Sequence, residues 1–195
     1  MPLHCTPLLL LISLLLPVLS VQAADDDFTY CHSYAGLNFP DYRALWNPKS
    51  PQQTELSYKA LLNLATKSHD KTYLSELLSQ IARTYTVRQQ YQSAAYFLSQ
   101  AALYFDDAAP TARGHYWKEQ ARMNYAQQDM AAAIASLDKA WFWAEQGQDD
   151  RLKVEVARLY DDYQFRPDEN WQQKISRIIE ITQDLKLKHD VISLN

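Results

Sequence analysis

Three Ala-Arg pairs, Ala82-Arg83, Ala121-Arg122 and Ala157-Arg158, recur 39 and 36 residues apart. A guanidinium is a planar fork of N–H donors that holds carboxylates through bidentate, charge-assisted contacts. Arginines recurring at one phase are therefore the residues here best suited to gripping an acidic group. Each could also be engaged on its own helix. Arg158 has Glu155 three residues before it and Asp161 and Asp162 after it, so local pairing is strong there. Arg122 has Glu119 three before, while Lys118 four before opposes it. Arg83 has Ser79, Gln80, Thr86 and Val87 at the neighbouring spacings and no local carboxylate.

Other chemistry finds little support. There is no Gly-rich phosphate loop, no Gly-x-Ser-x-Gly elbow and no His-Glu-x-x-His. His4, His32, His69, His115 and His189 are scattered, with no two at ligand spacing on one helix. Cys31-His32 is at most half of a metal site. The Asp-Asp pairs beginning at 106, 149 and 161 suit helix capping or solvated faces better than paired-carboxylate catalysis. The expectation is no enzyme, no cofactor, no metal and no small-molecule substrate.

The chain opens on an apolar run, Leu8 to Val21, ending at Val21-Gln22-Ala23 before Asp25-Asp26-Asp27. About 14 apolar residues closed by small ones fit a secretory signal peptide and are short for a membrane span of about 20. The n-region carries only His4, and an uncleaved anchor is the competing reading. Cleavage after Ala23 leaves about 172 residues, enough for one domain, at an unchanged net charge of −4. No basic stripe points to nucleic acid. Cys31 is then the lone cysteine, so no internal disulfide framework forms. No Asn-x-Ser/Thr sequon occurs, which favours a bacterial periplasm or secretion from a bacterium.

Gly appears three times, and breakers are sparse between long periodic segments, which predicts an all-helical domain without strands. Residues 24–50 read as irregular, with a short helix near Asp41 to Trp46. Ser50-Pro51 reads as a cap and first turn. The helix it opens is expected to run to about Lys67 and to bury Leu56, Ala60, Leu61 and Leu64. A pair follows, one helix carrying Leu77, Leu78, Ile81, Ala82 and Tyr85, the other Ala94, Phe97, Leu98, Ala101 and Leu103, with a turn at Arg88 to Tyr91. A second pair spans Thr111 to Gln127 and Met130 to Glu145. A third runs from Asp149 to Tyr163 and returns from Asp168 to about Lys188. The repeat domain thus covers 51–188, with a tail at 189–195. Trp141-Phe142-Trp143 cannot all face one core, so at least one ring packs on a neighbouring repeat or a partner.

Small residues recur in step with the arginines. Ala94 and Ala101 lie 12 and 19 residues after Ala82, as Ala133 and Ala140 do after Ala121. Such self-similarity marks a stacked helical repeat, in which each amphipathic helix is buried by its neighbours. The segment Leu77 to Tyr85 with Tyr91, Ala94, Leu98 and Ala101 resembles a tetratricopeptide repeat. So does Trp117, Ala121, Gln128-Asp129-Met130, Ala133-Ile134, Leu137 and Ala140. The usual turn glycine is replaced by Gln89 and Gln128, and the third unit keeps only Ala157 and Tyr160, like a cap.

The resemblance implies an all-α, right-handed stack of antiparallel helix pairs, a tetratricopeptide-like solenoid. It also implies that the first helix of each pair lines a concave groove. Arg83, Arg122 and Arg158 would form a ladder there, with His115, Lys118 and Arg151 nearby and Tyr125 one turn on. The expected function is an extracytoplasmic protein–protein interaction scaffold that binds an acidic or C-terminal peptide segment. The alternative is a self-assembling envelope protein, a homo-oligomer built through its aromatic surface, with the N-terminal segment filling the groove.

Overall fold

The computed structural model describes residues 30–34, 37–165 and 171–181. The apolar leader at 1–23 and the tail at 189–195 lie outside the described residues, as does the end expected for the last helix. Seven α-helices account for most of the described chain: α1 (Pro51–Ala65), α2 (Lys71–Val87), α3 (Tyr91–Ala102), α4 (Pro110–Ala126), α5 (Met130–Gln146), α6 (Asp150–Asp162) and α7 (Trp171–Ile181). None is long and apolar enough to cross a membrane.

One expectation fails at the front. Two strands, β1 (Tyr30–Tyr34) and β2 (Leu37–Pro40), pair antiparallel in a segment expected to hold none. Strands of five and four residues are too short to show sustained alternation. A 3-10 turn at Tyr42–Leu45 follows, where a short helix was expected, with the Asp41 side chain accepting from the Arg43 N–H.

The helices begin and end by repeated local chemistry. Asp70, Asp129 and Asp149 cap α2, α5 and α6, each side chain accepting the N–H three residues on at 2.8–3.0 Å. Four helix ends carry a glutamine in the left-handed region: Gln89, Gln128, Gln148 and Gln164, with φ between 53° and 66°. After each, the next N–H reaches back five residues, as from Gln90 to the Tyr85 carbonyl at 3.0 Å and from Asp129 to Asn124 at 3.0 Å. This is the Schellman closure that glycine usually serves. Ser50 holds the cap position of α1 without a side-chain cap bond.

Consecutive helices pack on one another, and α2, α4 and α6 also touch side by side. The matched alanines are where they meet: Ala82, Ala94, Ala101, Ala121, Ala133 and Ala140 are all 0% exposed. Gly114 of α4 marks a close approach of three helices. A Cβ there would lie 2.5 Å from the Leu152 Cδ2 of α6 and 3.4 Å from the Ala144 nitrogen of α5. At the front, Phe39 stacks on Tyr73 with ring centres 4.6 Å apart, and the Tyr42 hydroxyl donates to buried Glu76 at 2.7 Å.

The buried face of α1 differs from expectation. Leu56 and Leu64 are exposed, whereas Thr54, Glu55, Tyr58 and Ala65 are buried. Among helices α1 packs mainly on α2, and Glu55 is held there by Tyr85 at 2.6 Å, by Lys59 and by Arg88. This polar anchor joins Tyr58 and Ala65, with Leu61 and Leu62 packed beside them, on the buried face. Leu103, expected in the α3 core, is also exposed because α3 ends at Ala102.

A cation-lined cavity

The side-by-side contact of α2, α4 and α6 puts side chains from three helices around one cavity of about 350 Å³. Gln80 and Arg83 come from α2, Lys118 and Arg122 from α4, and Arg151, Glu155, Arg158, Leu159 and Asp162 from α6. Arg43 and Trp46, from the segment before α1, complete the wall. Six cations and two carboxylates line it, so the site favours an anion.

Arg83 is the least compensated of these cations. Its guanidinium lies over the Trp46 ring, 3.8 Å from the centre. No carboxylate comes within ion-pair distance of it among the described residues, and its Nε is buried with no hydrogen-bond partner. Burial and then the nearby Arg122 charge hold its pKa below the usual arginine value.

Arg122 makes the local pair that its sequence neighbours allow. Its Nε lies 3.1 Å from the Glu119 Oε2, without the alignment of a hydrogen bond. Glu119 is fully buried and also meets Lys118 Nζ and Gln80 Nε2, each at 3.4 Å. Its single charge is shared among several donors.

Lys118 lines the cavity but is largely neutralised. It is buried, hydrogen-bonds Glu155 and lies near Glu119. Glu155 also faces Arg43 at 3.8 Å and Arg151 at 3.9 Å. Burial works to raise the Glu155 pKa, but Lys118, His115 and Arg43 outweigh it and hold the carboxyl well below its usual range. Arg158 lines the same cavity, and Arg151 reaches Asp41 at 3.6 Å.

Two residues expected near the ladder do not line the cavity. His115 is fully buried beneath the wall, with its Nε2 2.9 Å from an Arg43 nitrogen and its Nδ1 3.3 Å from Lys118 Nζ. Arginine and lysine both only donate and a neutral imidazole has one accepting nitrogen, so the ring accepts from one of the two and not from both. Tyr125 does not line the cavity; it stacks on Tyr163 with ring centres 3.7 Å apart. Tyr163, its hydroxyl pushed up to about 12 chiefly by burial, belongs to an adjoining recess shared with Arg83, Arg122, Val87 and Tyr91.

Arg43 and Trp46 escape a reading by repeat phase because they precede the repeats. Their spacing of three in a short helical turn was the available signal. Cys31 and His32 lie in β1, and among the described residues no group of His, Cys, Asp and Glu is placed to hold a metal ion. No family model, curated protein or solved structure matches the chain.

Proposed function

We propose that this chain is an exported, tetratricopeptide-like stack of helix pairs that acts as a binding scaffold and not as an enzyme. Its cation-lined cavity takes an acidic or C-terminal segment of a protein partner. The observation carrying this reading is Arg83, a guanidinium over Trp46 with a buried Nε and no carboxylate beside it among the described residues. A buried donor without a partner costs free energy, and a ligand carboxylate would satisfy it. Contact of α2, α4 and α6, with an arginine from each on one cavity, supports the stack and the ladder together. The test is capture of partners from the native envelope after cross-linking. Arg83→Ala with Arg122→Ala should abolish capture, and capture at the unmodified level would sink the reading.

A second reading, assembly through the surface, is favoured by exposed Tyr96, Leu103 and Phe142. Sedimentation at low concentration separates the two, because only assembly requires a stable oligomer there.

A further inference from the structure

The shape of the cavity adds something that a peptide groove does not require. Arg43 and Trp46 form part of its wall: Arg43 reaches His115 at 2.9 Å and Asp149 at 3.8 Å, while Trp46 lies against Arg83. The volume of about 350 Å³ sits at the small end of the range for ligand pockets, which suits a compact group.

Charge narrows the choice. Of the two lining carboxylates, Glu155 is engaged by Lys118 and faces Arg43 and Arg151, and Asp162 is exposed. Among the described residues Arg83 has no ionic partner, and Arg122 shares Glu119 with Lys118. The apolar wall is slight, since Trp46 is already covered by Arg83 and Leu159 is the only aliphatic residue lining the cavity among the described residues. Geometry narrows it further. Arg83, Arg122 and Arg158 line the cavity from three different helices, so an anion that met all three would need acceptor atoms facing more than one direction. A carboxylate offers two oxygens in one plane, whereas a phosphoryl group offers three oxygens around a tetrahedral centre and carries up to two charges.

We propose that this cavity is a binding site for a phosphoryl group, either free inorganic phosphate or the phosphate of a lipid headgroup. This goes beyond the peptide-scaffold reading and does not depend on it. The chemistry of binding is the same for both sources: Arg83 and Arg122 supply bidentate donors, Arg158 a third approach, and Trp46 holds Arg83 in place and away from water.

Titration calorimetry of the purified full chain tests this, with inorganic phosphate and acetate as probes at matched ionic strength. Phosphate should bind saturably and at least tenfold more tightly than acetate. Arg83→Gln with Arg122→Gln should weaken phosphate at least tenfold while the unliganded protein melts cooperatively. Arg83→Lys, which keeps the charge but loses the fork, gives a second measure and should also weaken phosphate severalfold. Equal binding of acetate and phosphate would overturn the proposal, as would phosphate binding unmoved by these substitutions. Co-sedimentation with phosphatidate vesicles, but not with phosphatidylcholine alone, would assign the headgroup; phosphate binding without it would assign the free ion, and either supports the site. A peptide with an acidic C-terminus that binds while phosphate does not would overturn this proposal and leave the scaffold reading standing. Phosphate binding with no peptide bound would do the reverse.

Discussion

The guanidinium of Arg83 lies 3.8 Å from the centre of the Trp46 ring, joining α2 to the segment that precedes α1. The contact orders a lining arginine that has no ionic partner among the described residues, and it covers one face of that side chain. Trp46 is partly buried beside the front core, so its ring contributes packing as well as attraction to the cation.

Trp46→Ala is therefore expected to destabilise the fold by about 1–2 kcal/mol, through lost apolar contact and lost cation–π attraction. Urea unfolding measures this. In a double-mutant cycle with Arg83→Ala, a coupling of about 0.5–1 kcal/mol is expected, and zero coupling would show that the contact contributes nothing.

Glu155 gives a pH dependence of definite sign. Its carboxyl titrates lower in the folded protein than in the unfolded chain, so its contribution is complete above about pH 5 and is lost as the pH falls. Glu155→Gln should cost about 2 kcal/mol at neutral pH and flatten the acid side of the stability profile. Urea midpoints measured from pH 7 to pH 3 check both, and parallel acid limbs would contradict the assignment.

Gly114→Ala should destabilise the protein despite the better helix propensity of alanine. The new methyl would sit 2.5 Å from a methyl of fully buried Leu152 and close to the α5 backbone. Overpacking of this kind costs about 1–3 kcal/mol, against a propensity gain of about 1 kcal/mol. A thermal midpoint at or above that of the unmodified chain would show that α6 yields easily.

Gln128→Gly should have the opposite sign. At φ 66° a side chain is strained where glycine is not, and the net gain is about 0.5–1 kcal/mol after the entropy of glycine is counted. Gln128→Val, β-branched at the same φ, should lower the thermal midpoint. The two substitutions together separate backbone strain from any role of the glutamine amide.

The sequence showed much of this architecture for a physical reason. Alanines at fixed intervals are needed where helices approach closely, so Ala82, Ala94 and Ala101 with their counterparts around α4 and α5 could be recognised from spacing alone. The same phase put Arg83, Lys118, Arg122 and Arg158 on one cavity. Phase could not show what depends on contacts between distant segments. Arg43 finds His115, 72 positions away, and nothing near either residue announces that bond. Tyr125 stacks on Tyr163, although its position on α4 pointed towards the ladder. The rotation of α1 was hidden too, because Glu55 is anchored by Arg88, 33 positions on.

The wall built by Arg43 and Trp46 has a consequence for the order in which the molecule is completed. The helix turns close over a few residues and can form as the chain lengthens. Asp41 and Arg43, however, find their partners on α4 and α6. Ribosomes make the wall before any of the helices, yet its full set of contacts needs α6, because Asp41 pairs with Arg151 there.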